Sequence, residues 1–137
     1  MTEKQTTYPQ DEEHNRIFEQ LEAYLKKESP HLDPNFRCPD LPAIIGTNER
    51  YLQAAVVRAT GLTLQDYLLR LRVRYAANEL IIPDDTRTIE QVAFASGFTT
   101  NRTFRRNFKR LLHQTPQEFR ETHRQKWEED ETYTDNA

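Results

Sequence analysis

The chain has 137 residues, of which 36% are hydrophobic and 30% charged, with a formal net charge of −3. This length allows one compact domain or two very small ones. No apolar run approaches the ~20 residues that a membrane-spanning helix needs, and the first 15 residues lack the profile of a signal peptide. A single cysteine excludes an internal disulfide framework and fits a reducing cytoplasm.

The charges are segregated along the chain. Residues 1–35 carry a net charge of −4 and residues 127–137 a net charge of −5, so that residues 36–126 hold a net charge of +6. A basic middle between acidic ends is typical of a protein that binds a polyanion. A chance partition in a charge-rich protein is the alternative.

The apolar residues recur with a period near 3.6, which predicts helices throughout. The first helix lies within an acidic N-terminal segment, residues 1–35, and ends before Pro30. Its apolar stripe consists of Ile17, Leu21, Tyr24 and Leu25. A proline-rich connector leads to a short helix at about 39–45, which we expect to bury Leu41, Ile44 and Ile45.

The next helix begins at a cap formed by Thr47 or Asn48 and ends at about Ala59, before Gly61. Together these two short helices form a first helix-turn-helix at about 38–60. A long helix follows at about 63–82. Its predicted buried stripe comprises Leu64, Tyr67, Leu68, Leu71, Tyr75, Ala76 and Leu80.

Two capping boxes mark helix starts in the second half of the chain. Thr88 and Gln91 begin a helix that ends at Gly97, and a basic helix follows at about 100–112. Thr115 and Glu118 begin a last helix at about 115–127. We expect the acidic tail, residues 128–137, to be disordered.

The helix–glycine–turn–helix pattern occurs twice. Gly97 follows Gly46 by 51 residues, and aligning Leu52 with Phe104 places Arg50 on Arg102. Two short helices joined by a tight glycine-containing turn are typical of the helix-turn-helix. The sequence therefore predicts an all-α fold of about seven helices, with two helix-turn-helix subdomains joined by a long linking helix.

The stretch GFTTNRTFRRNFKR, residues 97–110, contains the residues best suited to bind DNA. Its apolar residues at 104, 108, 111 and 112 lie on one helix face, opposite Asn101, Arg102, Arg105, Arg106 and Lys109. Arginine reads guanine and asparagine reads adenine through paired hydrogen bonds. A solvated basic face is the alternative, but no acid lies between Glu90 and Glu118 to partner these charges.

The linking helix spans about 28 Å at 1.5 Å per residue. That length can hold two recognition helices about one DNA turn apart. We therefore expect a monomer to bind two successive major-groove segments without a dimer.

Residues 37–122 resemble the AraC-type DNA-binding domain of bacterial transcription regulators. The second half carries the more specific motif: Ala93, Gly97, Phe98, Phe104, Phe108, Lys109, Thr115, Pro116, Phe119 and Arg120. The first half matches at Leu41, Gly46, Leu52, Gly61, Tyr67, Arg72, Ala76 and Leu80. The AraC-type domain is thus predicted to occupy residues 36–126.

The resemblance implies which side chains meet double-stranded DNA. The base-contacting candidates are Arg50, Gln53, Asn101, Arg102, Thr103 and Arg106. The phosphate-contacting candidates are Arg58, Thr100, Arg105 and Lys109, which position the protein without reading sequence.

The sequence departs from the family pattern at several positions. Ala54 stands where many members have a polar or basic contact residue, and Val56 and Val57 replace the usual Phe-Lys pair. Pro42 replaces a small helix former, and His113 stands where the turn usually has glycine. The first subdomain is therefore expected to read few bases, or to serve as a surface for packing and protein contacts.

The remaining chemistry points away from catalysis. The four histidines have no ligand-like spacing, and three isolated glycines cannot form a phosphate-binding loop. We expect no enzyme activity, no metal and no cofactor. The chain is predicted to act in the cytoplasm at the nucleoid, with RNA polymerase or an upstream sensor domain as possible partners. A helical protein-interaction module with weak or no DNA specificity is the alternative function.

The sequence shows no separate ligand-binding domain. Three explanations stay open: a small standalone regulator controlled by its abundance, an output domain of a longer sensor protein, or a partner-binding surface within the first 35 residues.

Overall fold

A computed structural model describes residues 9–124, and all regular structure within this range is helical. The helices are α1 (Pro9–Glu28), α2 (Leu41–Ile45), α3 (Glu49–Thr60), α4 (Leu64–Leu80), α5 (Ile89–Ala95), α6 (Asn101–Leu112) and α7, from residue 116 to the last described residue, 124. Two 3₁₀ turns, Pro30–Leu32 and Cys38–Asp40, lie between α1 and α2. The prediction of an all-α chain with about seven helices is confirmed. The predicted end of the last helix and the acidic tail, 128–137, lie outside the described residues.

Side-chain caps begin the helices where the sequence predicts them. Asn48, rather than Thr47, accepts a hydrogen bond from the Tyr51 amide at 2.9 Å. Thr88 and Gln91 form a reciprocal capping box at the start of α5, and Thr115 and Glu118 do the same before α7. Each cap satisfies amides that the first helical turn leaves without a partner.

The chain divides into two units, and the first comprises residues 9–30 and 36–69. Its core is apolar and fully buried: Ile17, Leu21, Leu25, Leu41, Leu52, Ala55, Val56, Leu64 and Leu68. The rings of Phe18 and Tyr67 pack with their centroids 5.6 Å apart. This unit contains the first helix-turn-helix, α2 and α3.

The prediction that Ile44 faces inward is wrong, because 49% of this residue is exposed. α2 has only five residues, so that its inward side is filled by Leu41 and, one turn later, by the half-buried Ile45. The side chain of Ile44, rotated by about 100° from that of Ile45, is left in solvent.

The second unit comprises residues 31–35 and 70–124. A series of aromatic rings packs along its core, from Phe98 through Phe104 and Phe108 to Phe119, with centroid separations of 5.1, 5.5 and 5.4 Å. In α4, Val73 and Ala77 are buried although the predicted stripe does not include them, whereas Tyr67, Leu71 and Tyr75 of that stripe are only half-buried. This unit contains the second helix-turn-helix, α5 and α6.

The connector segment 31–35 is fixed against the turn of the second helix-turn-helix. The Arg72 guanidinium donates a hydrogen bond from Nε to the His31 carbonyl at 2.7 Å. Gly97 has φ +95°, and a Cβ added there would lie 2.3 Å from the same carbonyl oxygen. Because no other residue fits this position without displacing the connector, Gly97 is required both for its backbone angle and for its lack of a side chain.

Candidate nucleic-acid interface

The second recognition helix, α6, separates an apolar side from a basic side. Phe104 and Phe108 are completely buried in the second unit, while Arg102, Arg106 and Lys109 on the other side are exposed. The aromatic anchors fix how α6 is rotated about its own axis, so the basic side is held toward solvent.

Among the described residues, Arg102 and Arg106 make no hydrogen bond or ion pair. Four residues apart on a helix, they lie one above the other on the same face. Two neighbouring guanidinium groups without internal partners form the part of α6 best placed to bind an anionic or acceptor-rich surface.

The start of α6 is held by two threonines that were both predicted to contact DNA. Thr100 caps the helix by accepting a hydrogen bond from the Thr103 amide at 3.2 Å, and its hydroxyl donates to that of Thr103 at 2.9 Å. Thr103 still keeps its own hydroxyl hydrogen as a donor. The cap therefore stabilises the helix end and leaves a donor there.

An acidic residue that sequence reasoning missed, Glu90 in the first turn of α5, also lies at this end of α6. Its carboxylate accepts a hydrogen bond from Arg105 at 2.8 Å, with both side chains about half exposed. The amide nitrogen of Asn101 lies 3.5 Å from the same oxygen, and the Asn101 Oδ1 is buried without a partner. Two of the predicted DNA contacts, Asn101 and Arg105, are thus oriented by α5.

Gln53, the predicted base reader of α3, is bonded inside the first unit. Its Oε1 accepts a hydrogen bond from the Leu64 amide at 3.0 Å, and its Nε2 donates to Gln65 at 3.1 Å. The side chain therefore caps the start of α4 and must give up both bonds in order to read a base.

The two arginines of α3 face the beginning of α1. Arg58 forms an ion pair with Asp11 in the first turn of α1. Arg50 is exposed and lines a cavity of about 440 Å³ together with Glu13, His14 and Tyr51. The partner of Arg58 comes from a distant part of the chain, and no pattern within α3 indicates it.

Three arginines of the basic middle serve the structure of the second unit instead. Arg87 is paired with Asp85 and Glu79, and its hydrogen bonds lower the pKa of Asp85 to about 2. Arg120 and Arg124 donate to backbone carbonyls at the end of α4 and in the loop after it. Three of the 15 basic residues in 36–126 are therefore engaged within the second unit.

Comparisons with known proteins agree with this architecture. A family model described as a helix-turn-helix domain matches residues 41–122. The regulatory protein SoxS of Escherichia coli is 30% identical over 107 residues, which cover 78% of this chain and 95% of SoxS. A structure titled as an AraC-type transcriptional regulator, from Chromobacterium violaceum, has a TM-score of 0.67 at 19% identity and covers 82% of this chain and 95% of that one.

The chain belongs to the AraC-type helix-turn-helix family of DNA-binding transcription regulators. The resemblance that the sequence indicates is confirmed.

Other relatives of this AraC-type protein differ greatly in length. An uncharacterized HTH-type transcriptional regulator of Staphylococcus aureus (strain N315) is 29% identical over 90 residues, or 66% of this chain. The chain spans only 12% of the length of that regulator. A Listeria innocua protein of unknown function has a TM-score of 0.67 at 27% identity and covers 78% of this chain and 97% of its own.

No helix among residues 9–124 of this AraC-type chain is both long and apolar enough to cross a membrane.

Proposed function

We propose that this chain regulates transcription by binding double-stranded DNA sequence-specifically, with α6 as the principal reading helix. The observation that carries the proposal is the pair Arg102 and Arg106, exposed and without partners within residues 9–124, on a helix whose opposite side is buried. Each arginine is able to form two hydrogen bonds to one guanine, which is worth ~1–3 kcal/mol of discrimination.

The other side chains of α6 and its cap have supporting roles in this proposal. Thr103 and Asn101 lie at the start of the helix, where base edges come within reach of a recognition helix. Lys109, Arg105 and Thr100 bind phosphates, which set the register of the protein on the duplex. Asn101 reaches a base and Arg105 a phosphate only after their contacts with Glu90 rearrange.

α3 is proposed as a second, weaker reading helix. Arg50 is its base-contacting residue and Arg58 its phosphate-contacting residue, while Gln53 contributes to bases only if it leaves the start of α4. We further propose that a monomer places α3 and α6 in successive major-groove segments of an asymmetric site, and that residues 36–126 form the DNA-binding domain.

The wider setting follows from the family. We propose that the protein is a regulator and not an enzyme, and that it acts in the cytoplasm at the nucleoid. RNA polymerase or an upstream sensor domain is its proposed protein partner. The family match favours DNA binding over a module that binds only proteins, and so do the exposed Arg102 and Arg106, which have no partner in the part of the chain that the structure describes.

The proposal is tested by selecting ligands for the whole chain from random ~25-bp duplexes at roughly 150 mM salt, followed by sequencing. We expect an asymmetric motif with a strong half-site for α6 and a weaker one about 10 bp away. A single half-site would refute the role of α3. No enrichment at any salt concentration would refute DNA binding altogether.

The assigned readers are tested by Arg102→Ala and Arg106→Ala on the selected site. Each variant should lose about 5- to 150-fold in affinity for that site, with little change for unrelated DNA or in melting temperature. Arg74→Ala is the matched control, because Arg74 is an exposed arginine of α4 with no proposed role in binding. A fall in melting temperature that parallels the fall in binding would contradict the assignment.

A further inference from the structure

The beginning of α1 is polar, acidic and placed against α3. We call Gln10–His14, with Asp11 and Glu13 as its relevant acids, the acidic turn. Although it bears a charged carboxylate, Asp11 is only 8% exposed, and this carboxylate is paired with Arg58. Arg58 is a predicted phosphate contact, so the carboxylate of Asp11 occupies the position expected for a DNA phosphate.

The same turn borders Arg50, the second arginine of α3 that is predicted to contact DNA. Glu13 and His14 line the cavity next to Arg50, and the rings of His14 and Tyr51 lie 6.3 Å apart. Glu13 is also paired with Arg16 on α1 itself. Negative charge is thus concentrated beside both arginines that α3 would present to DNA.

The buried apolar residues of α1 lie outside the acidic turn. The buried apolar residues of this helix, Ile17, Leu21 and Leu25, all follow it in the sequence. These three residues anchor α1 in the first unit, whereas the acidic turn, whose residues are all polar, places no aliphatic side chain in that core. Its ion pair with Arg58 can therefore be exchanged while α1 stays packed.

We propose that the acidic turn competes with DNA phosphates for α3 and lowers the affinity of the first helix-turn-helix for DNA. This inference rests on the proposed function. Duplex DNA that approaches α3 has to displace Asp11 from Arg58 and meets the repulsion of Asp11 and Glu13. α3 then binds DNA only where the DNA sequence or the salt concentration offsets this electrostatic cost. α6 therefore contributes most of the affinity.

A purely structural role for these acids is the competing explanation, since acidic residues in the first turn stabilise a helix through its dipole. The two explanations predict opposite results. Loss of a helix-stabilising acid lowers the melting temperature and leaves DNA affinity unchanged or lower. Loss of a competitor raises DNA affinity.

The test compares the double variant Asp11→Asn, Glu13→Gln with wild type in the whole chain, on the duplex selected for wild type. We expect the variant to bind about fivefold more tightly at ~150 mM salt. This is the gain that one added phosphate contact gives at ~150 mM salt if its contribution vanishes at about 1 M salt. The slope of log affinity against log salt should steepen by about 0.9. The control is Glu19→Gln, Glu22→Gln, which makes the same change in net charge on α1 outside the acidic turn.

A double-mutant cycle with Arg58→Ala completes the test. In the Arg58→Ala background, Asp11→Asn should no longer steepen the salt dependence, because Arg58 is no longer there to be released to a phosphate. Equal gains for the acidic-turn variant and its control would overturn the proposal, since they would show only a general charge effect. If the double variant melts early, Asp11→Asn alone serves in its place.

The outcomes separate this inference from the proposed function. If wild type binds its selected site and the acidic-turn variant binds no more tightly, the inference fails and DNA binding stands. If neither wild type nor any variant binds a duplex at any salt concentration, the proposed function fails and the inference fails with it.

Discussion

His31 makes the stability of the second unit depend on pH between about pH 7 and pH 5, where most carboxyl groups are already ionised. The side chain is only 8% exposed, and burial together with the nearby charge of Arg72 lowers its pKa from 6.5 to about 4. Between pH 7 and pH 5 the unfolded chain therefore takes up a proton at this residue while the folded protein does not. Stability is fully present above the unfolded pKa and is lost as the pH falls below it.

The magnitude follows from the two pKa values. At pH 5, about 1.5 units below the unfolded pKa of 6.5, proton binding at His31 stabilises the unfolded chain. At 1.36 kcal/mol per unit, the free energy of unfolding falls by about 2 kcal/mol relative to pH 7. Urea unfolding followed by circular dichroism at pH 7, 6 and 5 measures this loss. In His31→Gln, about 2 kcal/mol of the pH dependence should disappear.

The three other histidines are present in both proteins, so that their contributions cancel in this comparison. Parallel loss of stability in wild type and His31→Gln would refute the reasoning, because it would show that His31 accepts a proton as readily when folded as when unfolded. A change in stability at pH 7 alone would not bear on the matter, since only the difference in pH dependence isolates the proton.

Three further changes test other parts of the structure. Glu90→Gln should release Arg105 from its ion pair and steepen the salt dependence of DNA binding by about 0.9, measured by titration at several salt concentrations; an unchanged slope would contradict the proposed phosphate contact. Gly97→Ala should destabilise the chain by at least about 2 kcal/mol in urea unfolding, since its Cβ would meet the His31 carbonyl at 2.3 Å; a smaller loss would show that the connector moves away easily. His113→Gly should raise stability by about 0.5–1 kcal/mol, because His113 has φ +63°; a lower melting temperature would mean that the histidine side chain contributes more than its backbone strain costs.

Sequence patterns predicted the features of this fold that depend on near neighbours. Asn48, Thr88 and Thr115 cap helices by bonding amides three residues away, so a single sequence contains both partners. The stripe that buries Phe104 and Phe108 is likewise a matter of helical period. Local rules are sufficient for such features.

The candidate site was predicted less completely because its electrostatics depend on distant partners. α6 contains no acidic residue that could pair with Arg105, and the partner of Arg105, Glu90, precedes it by 15 residues on another helix. Arg58 pairs with Asp11, which lies far from it in the sequence. Gln53 is a residue type that reads bases, but its side chain caps α4. Residue type predicted which side chains are suited to DNA, and only the tertiary contacts show which of them are already engaged.

The connector segment 31–35 is synthesised before the residues that it packs against in the second unit. His31 is synthesised before α3, whereas Arg72 follows it by 41 residues and Gly97 comes later still. A nascent chain that has completed residues 36–69 therefore has the material for the first unit while five residues within it wait for partners in the second. The first unit can therefore form before the second, and the segment 31–35 meets its partners only when Arg72 and Gly97 have been made.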